Sequence, residues 1–366
     1  MKVIRAILLI LNLILALGLV ASTLSDIVVP SRTILPSVMA YAYLPLLAAN
    51  LVMIVLWLLM RRWTWLISVA VIVLRWSTLG FFFQLSGTSK VPTAEEHPYM
   101  VTLMTFNVHQ FQGPQNQPTL SDSNAREFIK LVRQHQPDVL CLQEYAAAKT
   151  VAVNDSLVLM GYNHYYGAHT SSSGLPYGTV VYSRLPITYV NRIDSEKLLV
   201  ELLKEQQKLR VCCIHMDSYR FDATDREELE RMRRGEMQES SRRTLGKVKE
   251  TILSHESEWT QSLRPIVTGS TLPLVLAGDL NDIPGSWLYR QIDKEMRDTF
   301  RESGRGMSIT YNGGEGSLLP FGRDQLPRFR IDMVFHGEGI NTLSYRRIKS
   351  GLSDHYPVLT SFELQP

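Results

Sequence analysis

The segment Leu274–Asn281 reads Leu-Val-Leu-Ala-Gly-Asp-Leu-Asn, and it constrains the fold more than any other stretch of the chain. Its first four residues form an apolar run that predicts a buried strand, and Gly278 ends that run. Asp279 and Asn281 follow at the point where this strand should meet a loop. Because residues two apart in a strand point to the same side, their carboxylate and carboxamide should project together. A charged acceptor beside an amide donor predicts a site for a metal, a water or an anion.

Polar residues also lie at the ends of other apolar runs. They are Asn107, Glu144, His215, Asp332 and the pair Asp354–His355. Strand-like runs recur from residue 101 to the end of the chain, with helical patterns between them. This arrangement predicts an α/β fold in which two β-sheets form a sandwich flanked by helices.

Six short motifs, taken in chain order, resemble the endonuclease/exonuclease/phosphatase superfamily, the deoxyribonuclease I-like hydrolases. The motifs are Thr105-Phe-Asn107, Asp138-Val-Leu-Cys-Leu-Gln-Glu144, His215, Gly278-Asp-Leu-Asn281, Arg330-Ile-Asp332 and Ser353-Asp-His-Tyr-Pro-Val358. The resemblance covers roughly residues 100–364. It implies the two-sheet sandwich of that family.

The resemblance implies hydrolysis of phosphoric esters through a metal-assisted attack of water. Glu144 is the expected metal ligand, and Asn107 and Asp354 are expected to support the metal site. Oxygen ligands suit Mg²⁺, with Mn²⁺ as the alternative, and the chain lacks the cysteine and paired-histidine spacings of zinc sites. The family often has an acid two residues after this asparagine. The chain has His109 there, which suits a metal site with one acid.

The other motif residues are expected to act on the water and the phosphate. Asp279 would position or deprotonate the water, and Asn281 would bind a phosphate oxygen. His355 would be the general base or a cation that faces the phosphoryl group. Asp332 would hold the imidazole of His355, and His215 would donate to a non-bridging oxygen. The sequence leaves open whether Asp279 or His355 takes the proton.

Two further side chains are weaker candidates for the substrate site. Arg220 could pair with phosphate, and a surface salt bridge is an equal alternative for it. Tyr177 fits packing better than binding. The charged stretch of residues 222–262 is typical of a solvated helix laced with ion pairs, with an approach to anionic lipid as the alternative.

The N-terminal 86 residues carry almost no charge, although 20% of the whole chain is charged. They contain three apolar segments, Val3–Ala21, Val38–Met60 and Trp63–Leu85. Each is close to the ~20 residues that a spanning helix needs, which predicts three transmembrane helices. The first segment could instead be a cleaved signal peptide. Arg75 weakens the third segment, since a charge within the bilayer costs a few kcal/mol.

The basic residues predict how these helices cross the membrane. Lys2, Arg5, Arg61 and Arg62 mark cytoplasmic ends. Three crossings then place the rest of the chain on the extracytoplasmic side. The predicted layout is a membrane anchor over residues 1–86, a linker over residues 87–99 and a catalytic domain over residues 100–366.

Composition adds two constraints. The formal net charge of +3 is too small to indicate a nucleic-acid partner by itself. The cysteines, Cys141, Cys212 and Cys213, form no CxxC motif, and the first two lie in apolar runs that predict buried free thiols.

The sequence therefore predicts a multi-pass protein of the cell membrane that hydrolyses phosphoric esters with Mg²⁺. A phosphodiester is the preferred substrate, either a lipid headgroup or a nucleic acid, and no specific protein partner is inferred. The alternative is a non-enzymatic binding module on the same scaffold, because a fold does not fix a function.

Overall fold

The computed structural model describes residues 2–85, 87, 92–113, 117, 119, 121–146, 151–167, 177–221, 225, 228, 231, 232, 239–312 and 329–365. These residues form two six-stranded sheets that pack face to face, with helices on both outer faces. The strands are β1 (Met100–Asn107), β2 (Val139–Ala146), β3 (Asn163–Tyr166), β4 (Tyr177–Ser183), β5 (Ile187–Arg192), β6 (Lys197–Lys204), β7 (Gln207–His215), β8 (Leu274–Asp279), β9 (Arg297–Asp298), β10 (Asp332–His336), β11 (Ile340–Arg347) and β12 (Val358–Leu364). The two-sheet prediction is confirmed.

The α-helices of the described residues lie before, between and after these strands. They are α1 (Lys2–Ala21), α2 (Leu35–Ala40), α3 (Tyr43–Leu59), α4 (Trp65–Leu74), α5 (Trp76–Phe82), α6 (Ser121–His135), α7 (Val151–Leu159), α8 (Glu239–Ser257), α9 (Arg264–Thr268), α10 (Trp287–Glu295) and α11 (Thr299–Ser303). A π-helical turn, Glu258–Leu263, joins α8 to α9. The predicted charged helix is therefore confirmed over residues 239–262, and most of residues 222–238 lie outside the described residues.

Both sheets are mixed. The first has the order β11-β12-β1-β2-β4-β3, and the second has the order β5-β6-β7-β8-β10-β9. Only the pairs β1–β2 and β7–β8 are parallel among the described strands, and each lies at the centre of its sheet. The carboxyl ends of these parallel strands meet at one edge of the sandwich, which is where the polar motif residues lie.

Alternation along the strands divides the core into layers. In β1, Val101 and Leu103 face the second sheet, whereas Met104 and Phe106 face the outer helices of the first sheet. The third layer lies on the outer face of the second sheet, where Phe335 packs with residues of α10 and the π-helical turn. The cysteines are buried free thiols, as predicted.

The N-terminal segment forms helices, but only part of the three-span prediction is supported. Among the described residues, one helix, Lys2–Asp26, is long and apolar enough to cross a membrane. The second predicted span contains α3, a shorter apolar helix of 17 residues. The third is bent by 65° between α4 and α5, so it is one broken span or a re-entrant pair. The bend falls at Arg75, whose guanidinium donates to the Thr23 carbonyl at 3.0 Å.

The N-terminal helices dock directly on the sandwich. Ser25 Oγ donates to the Gly285 carbonyl at 2.5 Å, and Lys294 Nζ donates to the Asp26 carbonyl at 3.0 Å. Phe81 packs in the third core layer. The predicted linker, of which residues 88–91 lie outside the described residues, is therefore not the only connection between the two parts.

Candidate active site

The site begins where the central parallel strands end. Asn107 pairs with Gln143 in the register of β1 and β2, and His215 pairs with Asp279 in the register of β7 and β8. Asp279 also faces Asp332, the first residue of the antiparallel β10. The topology therefore places amide, imidazole and carboxylate side chains from both sheets at one edge of the sandwich.

Asn107 connects the two sheets. Its Nδ2 donates to Glu144 Oε1 and to Asp279 Oδ2, both at 3.0 Å. Its Oδ1 accepts from the His109 amide at 3.0 Å. In this arrangement Asn107 holds two carboxylates in place, and its oxygen is directed at the backbone. Its predicted role as a metal ligand stays a prediction.

Asp332, His355 and Asp279 form a buried group. His355 Nδ1 donates to Asp332 Oδ2 at 2.8 Å, and His355 Nε2 lies 3.7 Å from Asp279 Oδ2. Although burial alone would lower it, the two carboxylates Asp332 and Asp279 raise the pKa of His355 well above its usual value. Burial raises the pKa of Asp279 to about 6, and the nearby His355 limits that rise. The predicted Asp332–His355 pair is thus present in the structure.

His215 is directed at the same space from the second sheet. Its Nδ1 bonds Glu196 Oε2 at 2.9 Å, and its Nε2 lies 3.8 Å from Glu144 Oε1 and 4.0 Å from Asp279 Oδ2. Burial opposes a charge on His215, but these three carboxylates raise its pKa to about 9. Nε2 is buried and has no hydrogen-bond partner in the described part of the chain. A protonated imidazole there can donate to a bound anion.

Glu144 lies at an irregular point of its strand. The register between β2 and β4 shifts between Leu142 and Tyr145, and Glu144 itself has φ of +51°. Its burial favours the protonated form, but His215 and the Asn107 amide outweigh burial and lower its pKa. A largely buried carboxylate that stays ionised is suited to bind a cation.

Asp354 lies beside His109 and Ser353. Its Oδ1 is 3.3 Å from His109 Nδ1, and it accepts from Ser353 Oγ at 3.2 Å. His109 also contributes to the lowered pKa of Glu144, so its ring is close to both acids. The imidazole of His109 therefore lies beside two of the expected metal ligands, Glu144 and Asp354.

In the Asp279–Asn281 turn, both side chains are held by bonds to backbone groups. Asp279 Oδ1 accepts from the Asn281 amide at 2.8 Å. The Asn281 side chain donates to the Met216 carbonyl at 2.9 Å, and its φ is +49°. The side chain is thus held at the end of β7, beside His215.

The structure does not place Arg220 with these residues. Its side chain is 79% exposed and lies 3.5 Å from Asp217 Oδ1, which is the surface salt bridge weighed as the alternative. Its predicted role in substrate binding stays a prediction.

Three residues of the site have little or no signal in the sequence. Glu196 holds the His215 ring from the turn before β6. Thr310 Oγ1 accepts from the amides of Ile331 and Asp332, both at 2.9 Å, and so fixes the start of β10. Tyr177 lies close enough to Glu144 and Glu196 that burial and these acids raise its pKa to about 12. Their spacing in the chain follows no motif, because each approaches the site through tertiary contacts.

One group of described residues could hold a metal by its spacing. Asp279, Asp332 and His355 offer ligand atoms that all lie within 4.8 Å of one another. Since His355 Nδ1 already bonds Asp332, this group is also built as a proton-transfer unit. The expected ligands Glu144 and Asp354 lie outside it.

Comparison with known proteins agrees with this geometry. A family model described as "Endonuclease/Exonuclease/phosphatase family" matches residues 104–355, and a model of a domain of unknown function (DUF8431) matches residues 5–82. No curated protein matches the chain.

Solved structures share the fold at low sequence identity. An endonuclease/exonuclease/phosphatase from Bacteroides vulgatus has a TM-score of 0.50 and 17% identity, covering 73% of this chain and 99% of that chain. A family protein from Leptotrichia buccalis has a TM-score of 0.49 and 14% identity, covering 72% and 100%. TDP2 of D. rerio, solved with a single-strand DNA product, has a TM-score of 0.46 and 14% identity, covering 72% and 99%. The first of these supports a deoxyribonuclease I-like fold for the chain.

Proposed function

The chain belongs to the endonuclease/exonuclease/phosphatase family, and from this premise we propose that it is a metal-dependent hydrolase of phosphoric esters. The observation that carries the proposal is the convergence of Asp279, the Asp332–His355 pair and the unpaired Nε2 of His215 on one space at the edge of the sandwich. Hydrolysis of a phosphoric ester needs a group that can aim a water and cationic donors around the phosphate oxygens, and Asp279 and the two imidazoles are suited to these roles.

The acids beside that space fit a hard divalent cation. Glu144 and Asp354 offer carboxylate oxygens, and the low pKa of Glu144 keeps its carboxylate ionised. We assign the metal to this side, as Mg²⁺ or Mn²⁺, because the Asp332–His355 bond commits the other group to proton transfer. When bound, the cation would neutralise developing charge on the phosphoryl oxygens.

We infer that Asp279 is the general base. With its pKa near 6, Asp279 is ionised at neutral pH and still basic enough to accept a proton from water. His355 has the opposite character, since Asp332 and Asp279 keep it protonated. His355 and His215 would then face the non-bridging oxygens as cations, and Asn281 would bind a phosphate oxygen.

The N-terminal helices support a membrane location. Asn12, Asn50 and Ser68 are buried between these helices, where Ser68 Oγ donates to Asn12 Oδ1 at 2.7 Å. The outward side chains are apolar, as with Leu17 at 69% and Leu59 at 77% exposure. Polar contacts inside and apolar surface outside are the pattern of helices packed in lipid. We propose a multi-pass anchor with the catalytic domain on the extracytoplasmic side. The substrate that we propose is a phosphodiester.

The test uses the full chain in detergent micelles. Bis-aryl and mono-aryl phosphates, plasmid DNA and phospholipids are offered with Mg²⁺, with Mn²⁺ or with a chelator. We expect turnover that the chelator abolishes and that His355→Ala removes. The matched control His135→Ala, in the outer helix α6, should keep full activity.

A folded protein that turns over none of these substrates would refute the hydrolase. It would favour the non-enzymatic binding module, which should bind its ligand without a metal.

A further inference from the structure

Five aromatic residues connect the candidate active site to the N-terminal helices. These residues, the aromatic row, are Tyr311, Phe329, Tyr41, Tyr219 and Phe221, and each is partly exposed. The Tyr311 ring lies 5.1 Å from the His355 ring, and its backbone pairs with Phe329. Centroid distances then run 5.8 Å from Phe329 to Tyr41, 6.4 Å to Tyr219 and 5.4 Å to Phe221. The row therefore extends from the His355 imidazole to Phe221, with a backbone pair joining Tyr311 to Phe329.

The row is fixed in place by its hydroxyl groups. The Tyr41 hydroxyl donates to Asp282 Oδ1 at 2.9 Å and lies 2.6 Å from the Tyr219 hydroxyl. Asp282 directly follows Asn281 of the site. Because the polar ends of two rings are bonded to protein, the row offers mainly ring faces and edges to a ligand.

The other end of the row lies at the apolar helices. Tyr41 occupies the turn between α2 and α3, on the side of the helix group that docks on the sandwich. From there α3 packs against α1 and α4 and carries exposed apolar side chains, among them Val55 and Leu59. A bilayer around these helices would end close to Tyr41, and tyrosine is enriched at such interfaces.

We propose that the substrate is a phosphodiester of a bilayer lipid, whose apolar part lies along the aromatic row while its phosphate lies between His355 and His215. This inference rests on the proposed hydrolase function. The water oxygen forms a bond to phosphorus and gives a proton to Asp279, while one phosphorus–oxygen ester bond breaks. The leaving oxygen takes a proton from solvent, Asp279 returns its proton to solvent, and the products are an alcohol and a phosphomonoester. Arg220, exposed between Tyr219 and Phe221, adds a cation where an anionic lipid surface would approach.

Nucleic-acid bases also stack on aromatic rings, so the row has a rival occupant. The row leads to apolar helices, and the net charge is only +3. A strand of nucleic acid would meet lipid at Tyr41, whereas an acyl chain would enter it. These observations favour the lipid.

The experiment compares a soluble and a bilayer substrate with the full chain reconstituted in lipid nanodiscs. Bis(p-nitrophenyl) phosphate reports the chemistry alone, and long-chain phosphatidylcholine and phosphatidylglycerol in the disc report the lipid reaction. Single-stranded DNA is the third substrate. The variants are Phe329→Ala and Phe221→Ala, with Tyr189→Ala, 50% exposed on β5, as the matched control.

We expect long-chain lipid to be hydrolysed. Because each truncation removes an aromatic contact, the ratio of lipid to bis-aryl turnover should fall roughly tenfold in Phe329→Ala and in Phe221→Ala. The ratio should stay constant in Tyr189→Ala. Thermal unfolding of each variant separates this effect from loss of fold, and Phe221→Ala keeps the test valid if Phe329→Ala unfolds.

Three results would overturn the inference while leaving the hydrolase intact. In the first, bis-aryl phosphate is hydrolysed but lipid is not. In the second, DNA is cleaved and the variants reduce only that cleavage. In the third, lipid is hydrolysed with an unchanged ratio in both variants. Absence of turnover on every substrate would instead contradict the proposed function.

Discussion

Gly278 shows how one residue permits the site to form. A Cβ atom on Gly278 would lie 1.8 Å from the Ile214 carbonyl oxygen on the neighbouring β7. The strands that carry His215 and Asp279 could then not lie at their present spacing. The glycine between the apolar run and Asp279 therefore sets the distance between two site residues.

Gly278→Ala should lower the free energy of unfolding by about 3 kcal/mol or more, because a side chain there displaces the β7 backbone. The matched variant is Gly246→Ala, since a Cβ at Gly246 in α8 meets nothing within 4 Å. This control should be stabilising by about 0.5–1 kcal/mol, as expected for a helical glycine. Chemical denaturation of both variants measures the difference, and equal stabilities would contradict the close approach.

Asp332 acts through His355. Asp332→Asn would replace the carboxylate that keeps the imidazole protonated and oriented, so kcat should fall roughly a hundredfold or more. Turnover of bis-aryl phosphate with saturating Mg²⁺ measures the loss. Asp122→Asn, on the exposed face of α6, is the control and should retain activity. Full activity in Asp332→Asn would remove the pair from the mechanism.

At the scale of elements, α8 is fastened to the loop that follows β8. His255 Nε2 donates to the Asp217 carbonyl at 2.7 Å, and its Nδ1 lies 3.4 Å from Asp282 Oδ2. Burial opposes the charged form of His255, but its bonds to Asp282 and Asp217 raise its pKa. The helix thus reaches the same aspartate that Tyr41 contacts from the N-terminal helices.

This contact makes stability depend on pH. A raised folded pKa means that the stabilisation is fully present below the unfolded value near 6.5, and it is lost as the pH rises through the folded pKa. His255→Gln should therefore reduce the unfolding free energy most at pH 6, by about 1–2 kcal/mol. The difference from the parent should shrink at pH 9. Thermal unfolding in detergent at both values measures it, and a constant difference would contradict the ion pair.

At the scale of the whole molecule, the N-terminal segment is bonded directly to the sandwich, so its membrane topology fixes the side on which the sandwich lies. The anchor prediction places Arg61 on the cytoplasmic side and Glu95 on the other. The natural cysteines are all buried, so an added surface cysteine can be labelled selectively.

A membrane-impermeant maleimide added to intact cells should label Glu95→Cys and leave Arg61→Cys unlabelled, because only the first should face outward. Both positions should react after the cells are lysed, which controls for accessibility. Labelling of Arg61→Cys alone in intact cells would place the catalytic domain in the cytoplasm.

The sequence by itself indicated most strands of the sandwich and the polar residues that lie near their ends. Apolar runs ending in Asn107, His215 and Asp279 indicate where β1, β7 and β8 stop, and that information is local. The run ending in Glu144 does not, because β2 continues past it to Ala146. A serine directly before a helix is a common cap, and Ser286 before α10 is one, because its Oγ accepts from the Tyr289 amide at 3.2 Å. Local patterns suffice wherever a residue's role depends on its own strand or helix.

The tertiary structure alone decided which residues support those groups. Glu196 reaches His215 across a hairpin, Thr310 fixes the start of β10, and Tyr41 bonds Asp282 across 241 positions of the chain. It also decided that the third apolar segment bends at Arg75, and that Asn107 donates to two carboxylates. These contacts depend on how sheets and helices pack, and packing joins residues whose spacing in the sequence carries no pattern.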